Sequence, residues 1–266
     1  MQIHDALRKF IEETAREAGV LLRKRLDDRH DIEYKGEINI VTEADRLSEK
    51  LIVEKISHTF PLHGILTEEA PETAGNSEFR WIIDPLDGTT NYAHGYPVFS
   101  VSIALEVEGT VILGAVYNPM LDEFFMAEKG RGSYLNGRRL MVSRAGVLSR
   151  SLLATGFPYD IRTDRNNNIN YFKAMALNAQ AIRRAGSAAF DLACLAAGRF
   201  DGFWELKLAP WDTAAGWLIV EEAGGMVTDL AGGLYDLRSP NILATNGLIH
   251  QEMIGIIAGT NPFDGD

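Results

Sequence analysis

Four carboxylates, Glu69, Asp84, Asp87 and Asp212, stand at turns or helix starts in three separated stretches. These are Glu68-Glu69, Asp84-Pro85-Leu86-Asp87-Gly88-Thr89-Thr90 and Trp211-Asp212. Two readings are open for acids dispersed in this way: unrelated surface charges, or a shared hard divalent cation. Oxygen-only ligands suit Mg²⁺, which keeps several waters and shares its coordination with a substrate phosphate. Trp81-Ile82-Ile83 is a short apolar, β-branched run and reads as a buried strand ending at Asp84. Pro85 stops the ladder, Asp87-Gly88 makes a turn, and Thr89-Thr90-Asn91 offers caps for a helix start. A helix N-terminus carries free N–H groups and partial positive charge, so two carboxylates would lie beside a phosphate-sized anion site. Asp-Pro and Asp-Gly are also common turn dipeptides, and a plain turn accounts for the same residues.

The segment from Trp81 to Asn91 resembles the metal-binding signature of the inositol monophosphatase family. Trp211-Asp212-Thr213-Ala214-Ala215-Gly216, followed by Glu222-Ala223-Gly224-Gly225, is similar to that family's second signature. The resemblance runs from the first helix to about residue 250 and is nearest to bacterial inositol-1-monophosphatases. With these the chain shares stretches like Arg184-Ala185-Gly186-Ser187-Ala188-Ala189 and Ala197-Gly198-Arg199-Phe200-Asp201-Gly202. It implies that Asp84 bridges two Mg²⁺ ions, that Glu69 and the Leu86 carbonyl complete the first ion's protein ligands, and that Asp87 and Asp212 hold the second. A third, weaker ion is implied near Glu69. Metals about 3.5–4 Å apart clamp the attacking and leaving oxygens of an in-line displacement.

The resemblance further implies that Thr89 and Glu69 orient the attacking water, with Asp45 behind Thr89. Backbone N–H groups of Gly88 and Thr89 would hold phosphate oxygens, with no covalent phosphoenzyme. Asp87 and Asp212 would also face the substrate. Its alcohol would meet the loop Gly186-Ser187-Ala188 and Glu205, the acid seven residues before Asp212. Position 187 is Ser where relatives have Thr, and both carry a hydroxyl. Lithium sensitivity and a homodimer are implied as well. Arg183-Arg184 reads either as part of a subunit contact or as a solvated pair.

Composition narrows the partners. The 266 residues are 46% hydrophobic and 24% charged, an ordinary globular balance with enough chain for a sizeable core. A net charge of −11 argues against nucleic-acid binding, which needs a basic face. It also opposes anionic substrates unless bound cations reverse the local field. The single cysteine, Cys194, excludes an intrachain disulfide. Cys194 to Arg199 is one residue short of a phosphocysteine-phosphatase loop and lies in an apolar helical run, so Cys194 reads as a core thiol. Arg8, Lys9, Glu12 and Glu13 leave no apolar signal core, and no stretch approaches ~18 uncharged apolar residues, so a cytoplasmic protein without membrane spans is expected. The histidines form no metal-ligand spacing, and Trp81 and Trp211 read as packing supports for the acids.

These groups need positioning elements. Leu7, Phe10, Ile11, Ala15, Ala18, Leu21 and Leu22 predict an amphipathic helix over 3–26. Residues 32–40 read as a hairpin with a polar tip at Lys35-Gly36-Glu37. Thr42 and Asp45 read as a capping box opening the next helix, which gives Asp45 a structural alternative to its implied site role. Gly64-Ile65-Leu66-Thr67 is a strand delivering Glu68 and Glu69. Strands over 98–107, 111–117, 124–126 and 133–135, with turns at Glu108-Gly109 and Asn136-Gly137, predict an antiparallel sheet in an N-terminal half of about 1–145. From about 146 to 260 strands at 151–155, 200–204, 226–230 and 242–245 alternate with helices at 169–178, before Ala197, at 213–223 and from His250. That alternation predicts a parallel or mixed sheet. Residues 261–266 read as a frayed tail. The whole is expected to be one unit over 1–266, of α+β or α/β class, a layered αβαβα sandwich.

The expected activity is Mg²⁺-dependent hydrolysis of inositol monophosphate to myo-inositol and phosphate, with two to three ions per site. Alternative substrates are fructose-1,6-bisphosphate, NADP, a nucleotide 3′-phosphate or histidinol phosphate. Glu205 suits a neutral polyol, and no extra basic pocket for a bisphosphate is evident in the sequence. A regulatory protein binding transcription components is the alternative from another class.

Overall fold

The computed structural model describes residues 2–26, 32–34 and 40–261. The expected hairpin tip at Lys35-Gly36-Glu37 and residues 262–266 of the expected tail lie outside the described residues. The chain opens with helix α1 (Gln2–Arg25), the antiparallel pair β1 (Ile32–Tyr34) and β2 (Ile40–Thr42), and helix α2 (Glu43–Thr59). There follow β3 (Gly64–Thr67), β4 (Phe79–Asp87), a short helix α3 (Thr89–Ala93), β5 (Ser100–Val107), β6 (Thr110–Asn118), β7 (Glu123–Glu128), β8 (Gly132–Leu135) and β9 (Arg138–Arg139). Strands β3 to β9 lie side by side in chain order in a seven-stranded sheet. It is antiparallel throughout except for the parallel pair β3 and β4. The tight turns are where the sequence places them. Glu108 and Gly109 have φ of 48° and 79°, and Asn136 and Gly137 have 47° and 79°. Two successive positive φ values match the twist of a two-residue hairpin.

The second half contributes β10 (Leu152–Thr155), α4 (Ile169–Asn178), β11 (Ala181–Arg183), α5 (Ala188–Ala196), β12 (Gly202–Glu205), α6 (Pro210–Glu222), β13 (Met226–Thr228), β14 (Ile242–Thr245) and α7 (His250–Ala258). Its five-stranded sheet has the order β11-β10-β12-β14-β13. The pairs among β11, β10 and β12 are parallel and the remaining pairs antiparallel, the mixed sheet that the alternation predicts.

Strand periodicity builds the layers. In β4, Trp81 and Ile83 point into a cluster with α1 and α2, while Ile82 between them points to the other face. There it meets α5 and α6, whose far side packs on Phe203 of β12 and Ala154 of β10. Trp204, the next residue, faces a third cluster with Met175 of α4 and Met253 of α7. The result is the expected αβαβα sandwich, with α5 and α6 as its middle layer. Every residue of α5 is buried, which its small side chains allow between two sheets. Cys194 lies in this layer; burial pushes its thiol up to about 12 despite Arg199 Nη1 at 3.6 Å. Arg199 is engaged by Glu123, so the core-thiol reading holds.

Two local expectations change. Strand β4 does not end at Asp84 but runs to Asp87. Its register jumps from Asp84↔Ser102 to Asp87↔Ser100, three residues against two, and this bulge accommodates the missing N–H of Pro85. Strand β11 is unforeseen, a half-exposed three-residue edge strand without an apolar pattern.

Candidate active site

The bulge in β4 turns a strand end into a set of inward-facing acids. Asp84 is buried and accepts a hydrogen bond from Leu86 N at 3.0 Å. Asp87 reaches across to the start of α5. Its Oδ2 accepts from Ser187 Oγ at 2.6 Å, Ala189 N at 2.9 Å and Ser100 Oγ at 3.3 Å, and its Oδ1 from Ala188 N at 3.2 Å. A carboxylate on free N–H groups at a helix start is favoured by both hydrogen bonding and the helix dipole. The loop Gly186-Ser187-Ala188 thus meets Asp87: the Ser187 hydroxyl and Ala188 N–H hold this acid, and the loop also borders the cavity. Asp212 sits in the first turn of α6 behind Pro210 and accepts from Ala209 N at 2.7 Å.

These acids repel one another. Burial first, then the charges of Glu68, Asp87 and Asp212, holds Asp84 well above the ordinary carboxylate range. Burial first, then Asp87, does the same to Asp212, with Glu68 and Glu205 adding to the effect. Asp87 is raised by burial and pulled back by its hydrogen bonds. The charges acting on Asp84 are all negative. Buried oxygen donors with no internal counter-charge fit a hard divalent cation. The carboxylates are near one another without being gathered: among the described residues no three His, Cys, Asp or Glu side chains form a ready cage. Asp84, Asp87 and Asp212 are instead turned onto protein donors.

Of the two adjacent glutamates, the acid cluster feels Glu68, which acts on both Asp84 and Asp212. Glu69, the sequence candidate, lines a different groove with Arg46, Glu49 and Lys50. Its backbone N–H donates to Glu49 Oε2 at 3.0 Å, as does Thr67 Oγ1 at 2.9 Å. Glu49 is an anchor that sequence reading passed over.

Thr89 is not a helix cap. Gly88 takes that place at φ 99°, and a Cβ there would come 3.0 Å from the Val98 carbonyl and 3.1 Å from that of Gly186. Glycine therefore serves both the left-handed conformation and the close approach. The Thr89 hydroxyl donates toward Asp45 Oδ1 at 2.8 Å, with the Leu86 carbonyl an alternative acceptor at 3.1 Å. Asp45 Oδ2 accepts from Thr42 N at 2.8 Å and Thr42 Oγ1 at 2.6 Å. Asp45 is shared between the two: one oxygen completes the capping box of α2 and the other accepts from Thr89. Burial raises the Asp45 carboxyl, opposed by these bonds.

A cavity opens from Asp87, Thr89 and Asp212 toward Glu205 at the end of β12. Glu205 lies against Gly156, where a Cβ would come 2.0 Å from Oε1. Burial first, then the charge of Asp191, pushes Glu205 up to about 8. Arg184 and Lys207 also line this cavity, so basic groups lie beside its alcohol end although none was evident in the sequence. Lys207 is committed to Asp160 at 2.7 Å and Asp164 at 2.5 Å; Arg184 lowers the Glu205 and Asp191 carboxyls. Asp191 and Gly156 carried no motif signal. Trp81 donates Nε1 to His63 Nδ1 at 3.1 Å, away from the acids, and the Trp211 carbonyl accepts from Ser102 Oγ at 3.3 Å.

Comparison with known proteins agrees with this geometry. Residues 4–260 match the Inositol monophosphatase family. An inositol-1-monophosphatase of Synechocystis sp. is 47% identical over 231 residues, 86% of this chain and 80% of that one. The Nus factor SuhB of Escherichia coli K12 is 43% identical over 243 residues, 90% of this chain and 91% of that one. Among solved structures, the inositol monophosphatase of Anabaena (Nostoc) sp. superposes with a TM-score of 0.89 at 41% identity, covering 98% of each chain. With its fold, its two signatures and matches of this extent, the chain belongs to the inositol monophosphatase family.

Proposed function

We propose that this phosphatase hydrolyses inositol monophosphate to myo-inositol and phosphate with Mg²⁺ as cofactor, two to three ions per site. The observation that carries the reading is one cavity with Asp87 and Asp212 at one end and the buried Glu205 at the other. Glu68, Asp84, Asp87, Asp212 and the Leu86 carbonyl would hold the metal, Glu68 taking the place first given to Glu69. Bound there, Mg²⁺ supplies charge neutralisation at the phosphoryl group and activation of water. Asp45 accepts a hydrogen bond from the Thr89 hydroxyl, which leaves the Thr89 oxygen free to accept from the attacking water and align it. The N–H groups of Gly88 and Thr89 bind phosphate oxygens. Asp87, fixed by Ser187, Ala188 and Ala189, keeps its orientation without the metal. Glu205 accepts from the hydroxyls of the alcohol.

The same reading makes the protein a cytoplasmic homodimer acting on a phosphate monoester, with neither membrane nor nucleic acid as partner. The net charge of −11 supports the exclusion of nucleic acid, and no described helix is long and apolar enough to cross a membrane. The test is phosphate release at fixed Mg²⁺ from myo-inositol 1-phosphate, fructose-1,6-bisphosphate, NADP, a nucleotide 3′-phosphate and histidinol phosphate, each with and without chelator. Inositol phosphate should lead and chelator should abolish release; activity undiminished in chelator refutes the metal reading, and a better substrate refutes the alcohol. The likeness to the Escherichia coli Nus factor favours a second reading, binding to transcription components. Retention of such binding by a variant without phosphatase activity would separate the two roles.

A further inference from the structure

The alcohol end of the cavity holds a second buried acid that the reading above does not use. Asp191, in α5, is 2% exposed and lines the cavity together with Glu205. Its Oδ1 is buried without a hydrogen-bond partner among the described residues. Its neighbours differ: Asp45, Asp84, Asp87 and Asp212 all accept protein N–H or O–H groups. The start of α5 explains the difference. Its N–H groups at Ala188 and Ala189 are directed at Asp87, while the N–H of Asp191 already donates to the Ser187 carbonyl at 2.9 Å. No N–H at the start of α5 remains for the Asp191 side chain.

A buried carboxyl without a donor is costly in the empty protein and favourable once a ligand brings one. Asp191 and Glu205 together offer several acceptor positions. Arg184 on the same wall contributes positive charge and donors. A wall of both kinds matches adjacent hydroxyls, each able to donate and accept. An ammonium group would meet the repulsion of Arg184.

We infer that Asp191 is a second alcohol-binding residue, accepting a hydrogen bond from a polyol hydroxyl adjacent to the one received by Glu205. The inference rests on the polyol-phosphatase reading and deepens it: the substrate carries neighbouring hydroxyls, not a lone one. The test is steady-state kinetics of Asp191→Asn and Asp191→Ala on myo-inositol 1-phosphate and on 4-nitrophenyl phosphate, with melting temperatures measured alongside. For Asp191→Ala the loss in kcat/KM on inositol phosphate should exceed that on nitrophenyl phosphate by about tenfold or more, chiefly through KM. The amide of Asp191→Asn keeps one acceptor oxygen and should fall between. Neither variant should melt below the wild type, because an unpaired buried acid has been removed. Equal losses on both substrates, or an unchanged KM for inositol phosphate, overturn the inference while leaving the wild-type activity standing. A wild type that hydrolyses nitrophenyl phosphate but no polyol phosphate overturns the parent reading and the inference with it.

Discussion

Replacing Asp45 by Asn should nearly silence turnover while leaving the metal-free protein folded, its stability changed by no more than about 2 kcal/mol. The carboxylate accepts hydrogen bonds at 2.8 and 2.6 Å from Thr42 on Oδ2 and at 2.8 Å from Thr89 on Oδ1. An amide has one oxygen to offer. If its nitrogen faced Thr42, it would oppose the Thr42 N–H, two donors head to head in a buried site, at a cost of about 1–3 kcal/mol. The oxygen therefore stays on Thr42 and the NH₂ group meets Thr89. The Thr89 hydroxyl must then turn its hydrogen to the Leu86 carbonyl at 3.1 Å and accept from the new amide. The amide then takes one of the hydroxyl's two acceptor positions and the redirected hydrogen turns the other away from the direction it holds in the wild type, so the water loses its alignment. Bonds to a charged acceptor are worth about 1.5–3 kcal/mol and neutral ones about 0.5–1.5, so the variant loses about 1 kcal/mol at each of the surviving contacts. Relief of a buried charge offsets this, since burial is the leading effect on Asp45. The net change should stay within about 2 kcal/mol. At about 2–4 °C per kcal/mol for a chain of this size, that is a shift below about 8 °C.

Loss of an acceptor that positions the reacting water should lower kcat by about 100-fold or more. The assay is phosphate release at saturating Mg²⁺ and substrate, with melting measured in chelator. Thr89→Ala and the Asp45→Asn, Thr89→Ala double variant complete a cycle. Because both residues act through one oxygen, the double should be scarcely worse than Thr89→Ala alone. Turnover of Asp45→Asn within threefold of wild type, or losses that multiply in the double, would exclude Asp45 from positioning the water and leave it as a cap of α2.

Glu68→Gln should abolish Mg²⁺-dependent turnover and Glu69→Gln should leave most of it, because Glu68 acts on the acid cluster and Glu69 lines another groove; the opposite order in a kcat comparison would restore the original assignment. Gly156→Ala should displace the Glu205 carboxyl, 2.0 Å from the new methyl, and raise KM for inositol phosphate about tenfold, with an unchanged KM counting against alcohol binding by Glu205. Stability without metal should fall as pH rises. Acids raised in the folded state bind more protons folded than unfolded, so their stabilisation is complete below the ordinary carboxylate range near ~4 and is lost upward, to about 8 for Glu205. The chelated protein should therefore melt higher at pH 5 than at pH 8, and a flat or rising trend would show that the acids are not buried together.

What the sequence made legible follows from which forces are local. The hairpin turns at Glu108-Gly109 and Asn136-Gly137 need positive φ, which residue type nearly dictates. The faces of β4 and β12 follow a period of two, so Trp81 against Ile82 and Phe203 against Trp204 could be assigned to opposite layers. The Thr42 and Asp45 capping box spans three residues and was visible for that reason. The bulge at Pro85 was not, because its form depends on Ser100 and Ser102 of the partner strand. The directions of Glu68 and Glu69 were illegible on the same ground. Neighbours at a strand end diverge to different sides, and only Glu49, on another element, shows which way the chain turns. Arg184 was ambiguous because edge strand β11 lacks the alternation that would orient it.

Helix α5 accounts for the division of labour in the cavity. Its position between two sheets requires small residues, and that same packing leaves its N-terminal N–H groups aimed at one acid from the other half of the chain. Asp87 is thereby fixed at the phosphate end by donors that the fold supplies. One turn later the helix presents Asp191 to the same cavity, now with its N–H committed to Ser187 and no donor left over. The acid that must hold its place before anything binds is satisfied by protein; the acid that faces the alcohol is left to be satisfied by the alcohol. A helix shifted by one residue would move the Ala188 and Ala189 N–H groups off Asp87 and turn Asp191 by about 100° about the helix axis. The register of α5 against Asp87 therefore sets both which acid the fold satisfies and which acid it leaves facing the cavity.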